Sequence, residues 1–289
     1  MKKYIGEIFL SITAIIWGSG FVASAISLEY LTPYQVLAGR FTVGVIILSV
    51  IFSKQLKNLN RTILAKGTII GVFLYVAFLL QTIGLQYTTA SKNAFITAVN
   101  VVIVPFIAYL LYKRKVDKYE FIGAFLAIIG IGVLSLQLSS GINLGDLLTL
   151  GCAFGFAFHI YYTARFAKDE DPILLTLVQM VVAAVLAWFV VIITGDTAFS
   201  MQFEGITSML YLGIFSTTIA FLFQTIAQKY TSETKAAIIL STESFWGMVF
   251  SVIILSEALT GRMVIGAILI LVAILLSETK LSFLRQKDI

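Results

Sequence analysis

Ten apolar segments, each of 18 or more residues, follow one another along this chain with only short polar stretches between them. Segments of this length can cross the roughly 30 Å hydrocarbon core of a bilayer as helices, since lipid offers no other partner for backbone N–H and C=O groups. We therefore predict an all-α integral membrane protein, multi-pass in the cell (inner or plasma) membrane. The ten predicted transmembrane helices lie near residues 5–27, 33–53, 65–87, 91–112, 118–137, 145–166, 173–194, 204–228, 233–255 and 261–279.

The composition excludes several classes of protein. Of 289 residues, 59% are hydrophobic and 12% are charged, whereas a soluble domain has about 25% charged residues. The net charge of +5 does not indicate nucleic acid, because cytoplasmic loops of membrane proteins collect Lys and Arg. A single cysteine, Cys152, and a single histidine, His159, exclude a disulfide framework and argue against a zinc site. Since the sequence also lacks a GxxxxGK(S/T) motif, we predict no metal, no cofactor and no ATP-driven step.

The first apolar segment has two interpretations. Lys2, Lys3 and the apolar run before Ala23-Ser24-Ala25 are also typical of a cleaved signal peptide. The run is long enough to span a bilayer, however, and it has a counterpart later in the chain. We interpret it as the first transmembrane helix.

Lysine and arginine are distributed unevenly between alternate loops. With the N-terminus inside, the inner segments carry 17 of these residues and the outer loops only Lys92 and Arg262, while Arg40 lies within a span. Because basic residues concentrate on the cytoplasmic side, both termini are predicted to be cytoplasmic.

The chain repeats itself at long range. Residues 81–96 read QTIGLQYTTASKNAFI and residues 224–239 read QTIAQKYTSETKAAII, with eight of sixteen positions identical. The offset of 143 residues continues as far as Gly123, which recurs as Gly266. An agreement of this length exceeds what apolar composition alone produces.

The repeated unit comprises five helices, in residues 1–140 and 141–289. Pro33 begins the second segment and Pro172 the seventh. Because five is odd, the second copy is predicted to enter the membrane inverted, so that a pseudo-twofold axis in the membrane plane relates the two copies. Duplication can also simply enlarge a bundle. Inverted repeats that exchange two packings, however, open a central site alternately to either side.

Four sequence motifs are similar to motifs of known proteins. They are WGSGFVA at 17–23, AGRF at 38–41, Asn-Val-Val-Ile-Val-Pro at 100–105 and SEALTGRMVIGAILIL at 256–271. Together they resemble the drug/metabolite transporter (DMT) superfamily, in its EamA-like branch of ten-helix permeases. Ser256 stands where the family pattern has glycine, and Arg114 stands in the first copy where Glu257 stands in the second. The resemblance covers the whole chain and implies metabolite efflux, less often import, of amino acids, related metabolites or organic cations.

Polar side chains inside spans are costly and usually face a cavity or a partner. Glu243 lies near the middle of helix nine, and the repeat pairs it with Asn100 of helix four. Asn93, Thr97 and Asn100 are spaced i, i+4, i+7 and therefore share one helical face. We predict that these residues bind substrate, and the alternative for Glu243 is a hydrogen bond that holds helices together.

Two further ionisable residues are predicted at the site. Arg40 lies about 10 Å into helix two and has Gln179 as its repeat partner. It is interpreted as binding a substrate carboxylate or pairing with Glu243, or alternatively as extending to the outer interface. His159 is either a site residue or a buried hydrogen-bonding residue.

Aromatic and amide side chains complete the predicted substrate site. Trp17 and Trp246 lie near mid-span rather than in an interfacial belt, and rings at this depth can hold planar or cationic ligands. The acidic run 169–171 in an inner loop is interpreted as solvated rather than as a metal site. The remaining members of the predicted site are Tyr75, Phe78, Gln81, Tyr162 and Gln224.

The leading interpretation is a secondary transporter, not an enzyme, that moves a small-molecule substrate through the lipid bilayer by alternating access. The alternatives are an intramembrane enzyme or a channel with a polar site at the bundle centre. An enzyme needs a nucleophile–base pair or an acidic metal cluster, which the spans do not supply, and a channel conducts without saturation. The sequence leaves open the substrate, the direction of transport, proton coupling, and whether the protein is a monomer or a homodimer.

Overall fold

The computed structural model describes residues 2–113, 115–135, 143–230 and 233–279, which form ten helices and no β-strand. The number of helices confirms the prediction. In chain order they are α1 (Lys2–Leu28), α2 (Pro33–Ile51), α3 (Arg61–Leu85), α4 (Ala90–Ala98 and Asn100–Tyr112), α5 (Lys118–Ser135), α6 (Leu144–Phe166), α7 (Pro172–Thr194), α8 (Phe203–Tyr211, Leu212–Ile219 and Ala220–Tyr230), α9 (Glu233–Ser241 and Glu243–Ile254) and α10 (Gly261–Thr279). A short 3₁₀ helix, Gln55–Asn58, connects α2 to α3.

Helices α4 and α9 are each broken at one residue, where the hydropathy pattern predicts continuous helices. The breaks lie at Val99, with φ −63° and ψ −16°, and at Thr242, with φ −67° and ψ −10°. At both residues the backbone N–H bonds a carbonyl three positions earlier, that of Ile96 or Ile239. Val99 and Thr242 are 143 residues apart, so the two copies share the same tight turn at the same repeat position.

Helices α2 and α7 begin in the same way. Each has proline as its first residue, where the missing N–H is not needed. A side chain caps each start. Thr32 forms a capping box with the third residue of α2, and the Asp171 carboxylate accepts hydrogen bonds from the first free N–H groups of α7, those of Ile173 and Leu174. The eighth residues of the two helices, Arg40 and Gln179, therefore lie equally far from their helix starts.

Contacts between the helices follow the same twofold pattern. α3 packs on α6 and α7, while α8 packs on α1 and α2, and α5 pairs with α10. The α5–α10 contact is close because glycine lies at the crossing in both helices. A Cβ on Gly123 would lie 2.8 Å from the Ala273 carbonyl oxygen, and a Cβ on Gly266 would lie 2.8 Å from Leu134 Cβ. Small residues allow membrane helices to approach closely, so this repeated glycine has a packing role in both copies.

Seven helices, α1 to α4 and α6 to α8, are long and apolar enough to cross a membrane. α9 and α10 contain shorter apolar helices, 238–254 and 261–277. The number of candidate spans is therefore seven by length and composition, and the crossing of all ten helices stays a prediction.

The surface of the bundle is apolar and its interior contains polar side chains, as expected for a protein surrounded by lipid. Large apolar side chains such as Ile46, Val50 and Phe125 are exposed, whereas Asn93 and Gln224 are completely buried. A water-soluble domain has the opposite arrangement, since its polar side chains are mostly on the surface. The buried polar residues therefore mark the region where a polar site is to be sought.

Candidate functional site

A central cavity lies among α1, α2, α3, α4, α6, α8 and α9. The volume open to the centre of a water-sized sphere is about 50 Å³, several times the roughly 10–15 Å³ that one water needs. Ten of the thirteen residues that the sequence predicts for the substrate site line this cavity: Trp17, Arg40, Phe78, Gln81, Asn93, Thr97, Asn100, His159, Gln224 and Glu243.

Three predicted site residues lie outside the cavity. Tyr75 is buried in the apolar core. Tyr162 is half-buried and stacks on Phe73, with ring centroids 5.7 Å apart. Trp246 packs against Gly18 of α1, where glycine leaves room for it. Depth in a span does not determine which way an aromatic side chain faces, so these three are not part of the site proposed below.

Arg40 is buried, with 1% of its surface exposed. Its Nε donates to Thr217 Oγ1 at 2.8 Å and its Nη2 donates to Ser216 Oγ at 3.2 Å. Its Cζ lies 4.2 Å from the centroid of the Phe78 ring. Among the described residues no carboxylate lies within 4.0 Å of the guanidinium. Arg40 therefore neither extends to the interface nor pairs with Glu243, and its charge has no counter-ion among the described residues.

The breaks in α4 and α9 place two polar side chains in the cavity. Asn100 and Glu243 are the first residues after the breaks, and both are buried and line the cavity. Asn100 Oδ1 has no hydrogen-bond partner, and the Glu243 carboxylate forms no hydrogen bond or ion pair with any described residue. The interpretation of Glu243 as a link between helices thus finds no contact in the part of the chain that the structure describes.

The polar face of α4 contacts α3 and α6. Asn93 Nδ2 donates to Thr149 Oγ1 at 2.9 Å and to the Gln81 carbonyl at 3.2 Å. Thr97 Oγ1 accepts a hydrogen bond from Gln81 Nε2 at 3.1 Å and lies 3.5 Å from Cys152 Sγ. These bonds fix the face of α4 and leave Asn93 Oδ1 without a partner among the described residues.

Gln81 and Gln224, which the repeat places at equivalent positions, both line the cavity. Whereas Gln81 bonds Thr97, Gln224 is completely buried and neither atom of its side-chain amide has a partner among the described residues. Buried amides are normally hydrogen-bonded. As far as the described residues go, the second copy therefore presents a free donor and a free acceptor to whatever occupies the cavity.

His159 is a buried hydrogen-bonding residue, one of the two alternatives that the sequence leaves open, and its role at the site stays a prediction. It lines the cavity, and its Nε2 lies 2.7 Å from Gln179 Oε1, an acceptor that requires the proton to be on Nε2. Thr163 Oγ1 lies 3.5 Å from the same nitrogen. Gln179, the repeat counterpart of Arg40, thus holds the histidine in place.

Aromatic rings form one wall of the cavity. Phe78 and Phe221 are 143 residues apart and contact each other, with ring centroids 5.9 Å apart. Trp17 lies 5.0 Å from Phe221, and Phe156 lies 5.0 Å from Phe78. Such rings exclude water and offer faces for stacking or cation–π contact.

Sequence reasoning missed Ser216, which lines the cavity from the middle segment of α8. That segment, Leu212–Ile219, is π-helical, and Thr218 Oγ1 donates to the Gly213 carbonyl five residues earlier. The available signal was the Ser-Thr-Thr run 216–218 inside an apolar span. Hydroxyls in membrane helices often bond their own backbone, so the run does not reveal that two of them contact Arg40.

A polar cluster surrounds the first turn of α4. Thr89 caps this helix by accepting from the Lys92 N–H. Lys92 Nζ lies 3.8 Å from Asp146 Oδ2 at the start of α6. Glu257, before α10, accepts hydrogen bonds from the Ser91 N–H at 3.2 Å and the Ser91 hydroxyl at 3.0 Å. Residues 231–232, in the corresponding turn of the second copy, and Arg114, the counterpart of Glu257, lie outside the described residues.

The acidic loop between α6 and α7 forms ordinary structural contacts. Glu170 pairs with Lys66 of α3 at 2.6 Å, and Asp171 caps α7. Within the described ranges, no group of three His, Cys, Asp or Glu side chains lies close enough together to hold a metal ion.

A bundle of membrane-crossing helices around a polar central cavity, lined by both halves of the chain, defines the class as a multi-pass membrane transporter. The chain belongs to the EamA-like transporter family, whose family model matches twice, at residues 4–136 and 143–279. This family consists of transporters rather than enzymes, and it lies within the DMT superfamily named above.

Relatives agree with this assignment, and a solved structure shares the fold. An uncharacterized transporter of Archaeoglobus fulgidus is 34% identical over 96% of this chain and 86% of its own length. The uncharacterized transporter YvbV of Bacillus subtilis is 26% identical over 97% of this chain and 93% of its own. A crystal structure with 17% sequence identity has a TM-score of 0.71, covering 97% of this chain and 98% of that one. The last comparison shows the fold alone.

Proposed function

We propose that this protein exports an amino acid or a closely related zwitterion by alternating access. The observation that carries the proposal is that Arg40 and Glu243 line one cavity and that neither has a partner of opposite charge among the described residues. Buried charges are costly unless they are paired. A ligand with a carboxylate and an ammonium group supplies both missing partners.

The aromatic wall favours a zwitterion over a simple organic cation. The Phe78 ring already lies against the Arg40 guanidinium, so a cationic ligand would meet positive charge at that face. An anion at Arg40 avoids this repulsion and leaves Glu243 for the cationic group. Trp17 and Phe221 then contact the remaining apolar part of the ligand.

Alternating access follows from two inverted five-helix repeats, residues 1–140 and 141–289, with both termini in the cytoplasm. The exchange of contacts between the halves supports this arrangement, since α3 on α6 and α7 corresponds to α8 on α1 and α2. The excess of Lys and Arg in alternate loops supports the orientation.

Single thiols test the orientation, because the native Cys152 is buried. Lys57→Cys lies in a predicted inner loop and Thr197→Cys in a predicted outer loop, and both positions are exposed. A membrane-impermeant maleimide on intact cells should label Thr197→Cys and not Lys57→Cys. The opposite pattern would reject the proposed orientation, and labelling of both positions would reject the assignment of the two loops to opposite sides.

Binding to purified protein tests the ligand class. The twenty amino acids are compared with their C-terminal amides and N-acetyl derivatives by thermal shift, where saturable stabilisation indicates binding. We expect each modification to weaken binding by about 10- to 100-fold, since hydrogen bonds to charged groups contribute about 1.5–3 kcal/mol. Arg40→Gln should remove the preference for the free carboxylate, and Glu243→Gln the preference for the free ammonium.

The matched control is Glu170→Gln, which removes a carboxylate outside the cavity and should change neither preference. In proteoliposomes, Glu243→Gln should abolish transport while the protein remains folded. Flux that never saturates with substrate would favour a channel instead. If transport by the wild type fails to respond to a pH gradient, Glu243 serves the ligand alone and no proton is coupled.

A further inference from the structure

We infer that Ser216 and Thr217 are positioning residues whose hydroxyls aim the Arg40 guanidinium and thereby determine selectivity for a carboxylate. The inference rests on the proposed function and adds two residues of α8 to it. It starts from the two hydrogen bonds that Arg40 donates to these hydroxyls.

The two hydroxyls occupy one edge of the guanidinium. Arginine has five N–H donors in a rigid plane, and the Nε donor and one Nη2 donor lie on the same edge. Thr217 accepts from Nε and Ser216 from Nη2. Nη1 has no hydrogen-bond partner among the described residues, so the edge formed by Nη1 and the second Nη2 hydrogen remains for a ligand. That edge suits a carboxylate, which binds two parallel N–H groups.

Phe78 restricts the remaining freedom of Arg40. Its ring centroid lies 4.2 Å from Cζ, a distance at which guanidinium and ring attract each other. With two hydroxyls on one edge and a ring on one face, the side chain cannot turn its free edge away from the cavity without losing these contacts. The arrangement is prepared before a ligand binds, which lowers the cost of binding.

The π-helical segment explains why Ser216 can contact two other helices, α1 and α2, at once. Within this segment the Ala220 N–H bonds the carbonyls of Phe215 and Thr217 rather than that of Ser216. The Ser216 carbonyl instead accepts from Trp17 Nε1 at 3.0 Å, while its hydroxyl accepts from Arg40. Ser216 thus connects α8 to α1 and α2 at the cavity wall. Short π-helical stretches are frequently found at functional sites.

The approach of α1 to this segment depends on a glycine. A Cβ on Gly20 would lie 2.8 Å from Ser216 Oγ, closer than the hydroxyl tolerates while it bonds Arg40. Gly20 therefore leaves room for the Ser216 hydroxyl where it bonds Arg40.

The test uses the amino acid that stabilises the wild type most, together with its C-terminal amide. The quantity measured is the ratio of the two dissociation constants, amide over acid. We expect Thr217→Val to lower this ratio about tenfold and Ser216→Ala about threefold, because the first removes the shorter bond to the charged group. Thr217→Ser keeps the hydroxyl and should restore the ratio.

Thr218→Val is the matched control, because Thr218 lies in the same segment but donates to the Gly213 carbonyl rather than contacting Arg40. Its ratio should equal that of the wild type. Ser216→Ala retains the backbone carbonyl, so the indole ¹⁵N–H resonance of Trp17 should stay at its wild-type position. An unchanged resonance means that only the hydroxyl is lost, whereas a shifted resonance means that the segment has rearranged.

The outcomes separate the two proposals. If the wild type prefers the acid and Arg40→Gln removes the preference, while Ser216→Ala and Thr217→Val keep it, the positioning role is overturned and the proposed function stands. If Thr218→Val lowers the ratio as much as Thr217→Val, the segment acts through its fold and the role is again overturned. If no amino acid binds the wild type, or acid and amide bind equally, the proposed function fails and this inference fails with it.

Discussion

Two helix crossings at equivalent positions of the repeat differ in the polar side chain at the contact and in its hydrogen-bond partners. α2 crosses α8 at Arg40, and α7 crosses α3 at Gln179, the eighth residue of each helix. At the first crossing the partner helix is π-helical and supplies two hydroxyls to the arginine. At the second, α3 is a continuous α-helix, and the glutamine instead bonds His159 of α6.

The difference shows that the fold does not require a charge at this depth. Gln179 is completely buried, and its helix packs in the same way as α2. The π-helical segment of α8 thus lies at the crossing that holds Arg40 and has no counterpart in α3. The two copies also differ at the helix breaks, where the first copy has Asn100 and the second has Glu243.

The largest effect is expected from exchanging the residues of the two crossings. Arg40→Gln should weaken binding of the amino acid about 100-fold, as truncation of one partner of a buried charge pair does. Adding Gln179→Arg should not restore it, because α3 offers no hydroxyl pair there and His159 loses its acceptor. Binding by thermal shift and the folded fraction by gel filtration measure both effects. Wild-type binding by the double variant would mean that the two crossings are interchangeable.

Equivalent substitutions in the two copies should lower the free energy of unfolding equally where the copies pack alike, as at the α5–α10 contact. Gly123→Ala and Gly266→Ala should each lower the free energy of unfolding by about 2 kcal/mol, since overpacking typically costs 1–3 kcal/mol. Gly261→Ala is the control on α10, because a Cβ there meets nothing within 4 Å. Denaturation in detergent compares the three variants. Unequal costs at positions 123 and 266 would show that the α5–α10 contact is less symmetric than its sequence.

Charge at the breaks can be made symmetric by Asn100→Asp. The variant places a carboxylate at both break positions, so the preference should shift about tenfold from the zwitterion towards a linear diamine, the effect of one charged hydrogen bond. Asn100→Ala removes the amide without adding charge and should weaken both ligands alike. Competition between the amino acid and the diamine measures the shift. An unchanged preference in Asn100→Asp would place Asn100 away from the bound ligand.

The smallest effect is expected at the first turn of α4. Glu257→Ala removes the acceptor of the Ser91 N–H and hydroxyl, and loss of a helix cap costs about 1 kcal/mol. Glu204→Ala, in the exposed first turn of α8, serves as the comparison and should have a smaller effect. Denaturation again measures the difference. If the two variants are equally stable, the bonds from Glu257 to Ser91 contribute nothing to the folded state.

The sequence predicts the number of helices and the starts of α2 and α7, because hydropathy and proline act locally, whereas α3 begins at Arg61, four residues before its predicted start. Cavity residues such as Asn93 and Glu243 follow from the cost of polar groups in lipid. The break at Val99 could not be predicted, because neither Val99 nor its immediate neighbours are glycine or proline. The sequence also does not show in which direction a side chain points from its helix. For this reason Tyr162 and Trp246, which are predicted for the site, lie outside the cavity.

The shared break at Val99 and Thr242 also separates what the two halves have in common from what each has alone. The turn recurs in both copies, whereas Arg40 and Glu243 each occur in one copy. Two identical copies would present the same residue twice and would therefore suit a ligand with like ends. Two copies joined in one chain can differ, and under the function proposed above these unlike residues suit a ligand with unlike ends.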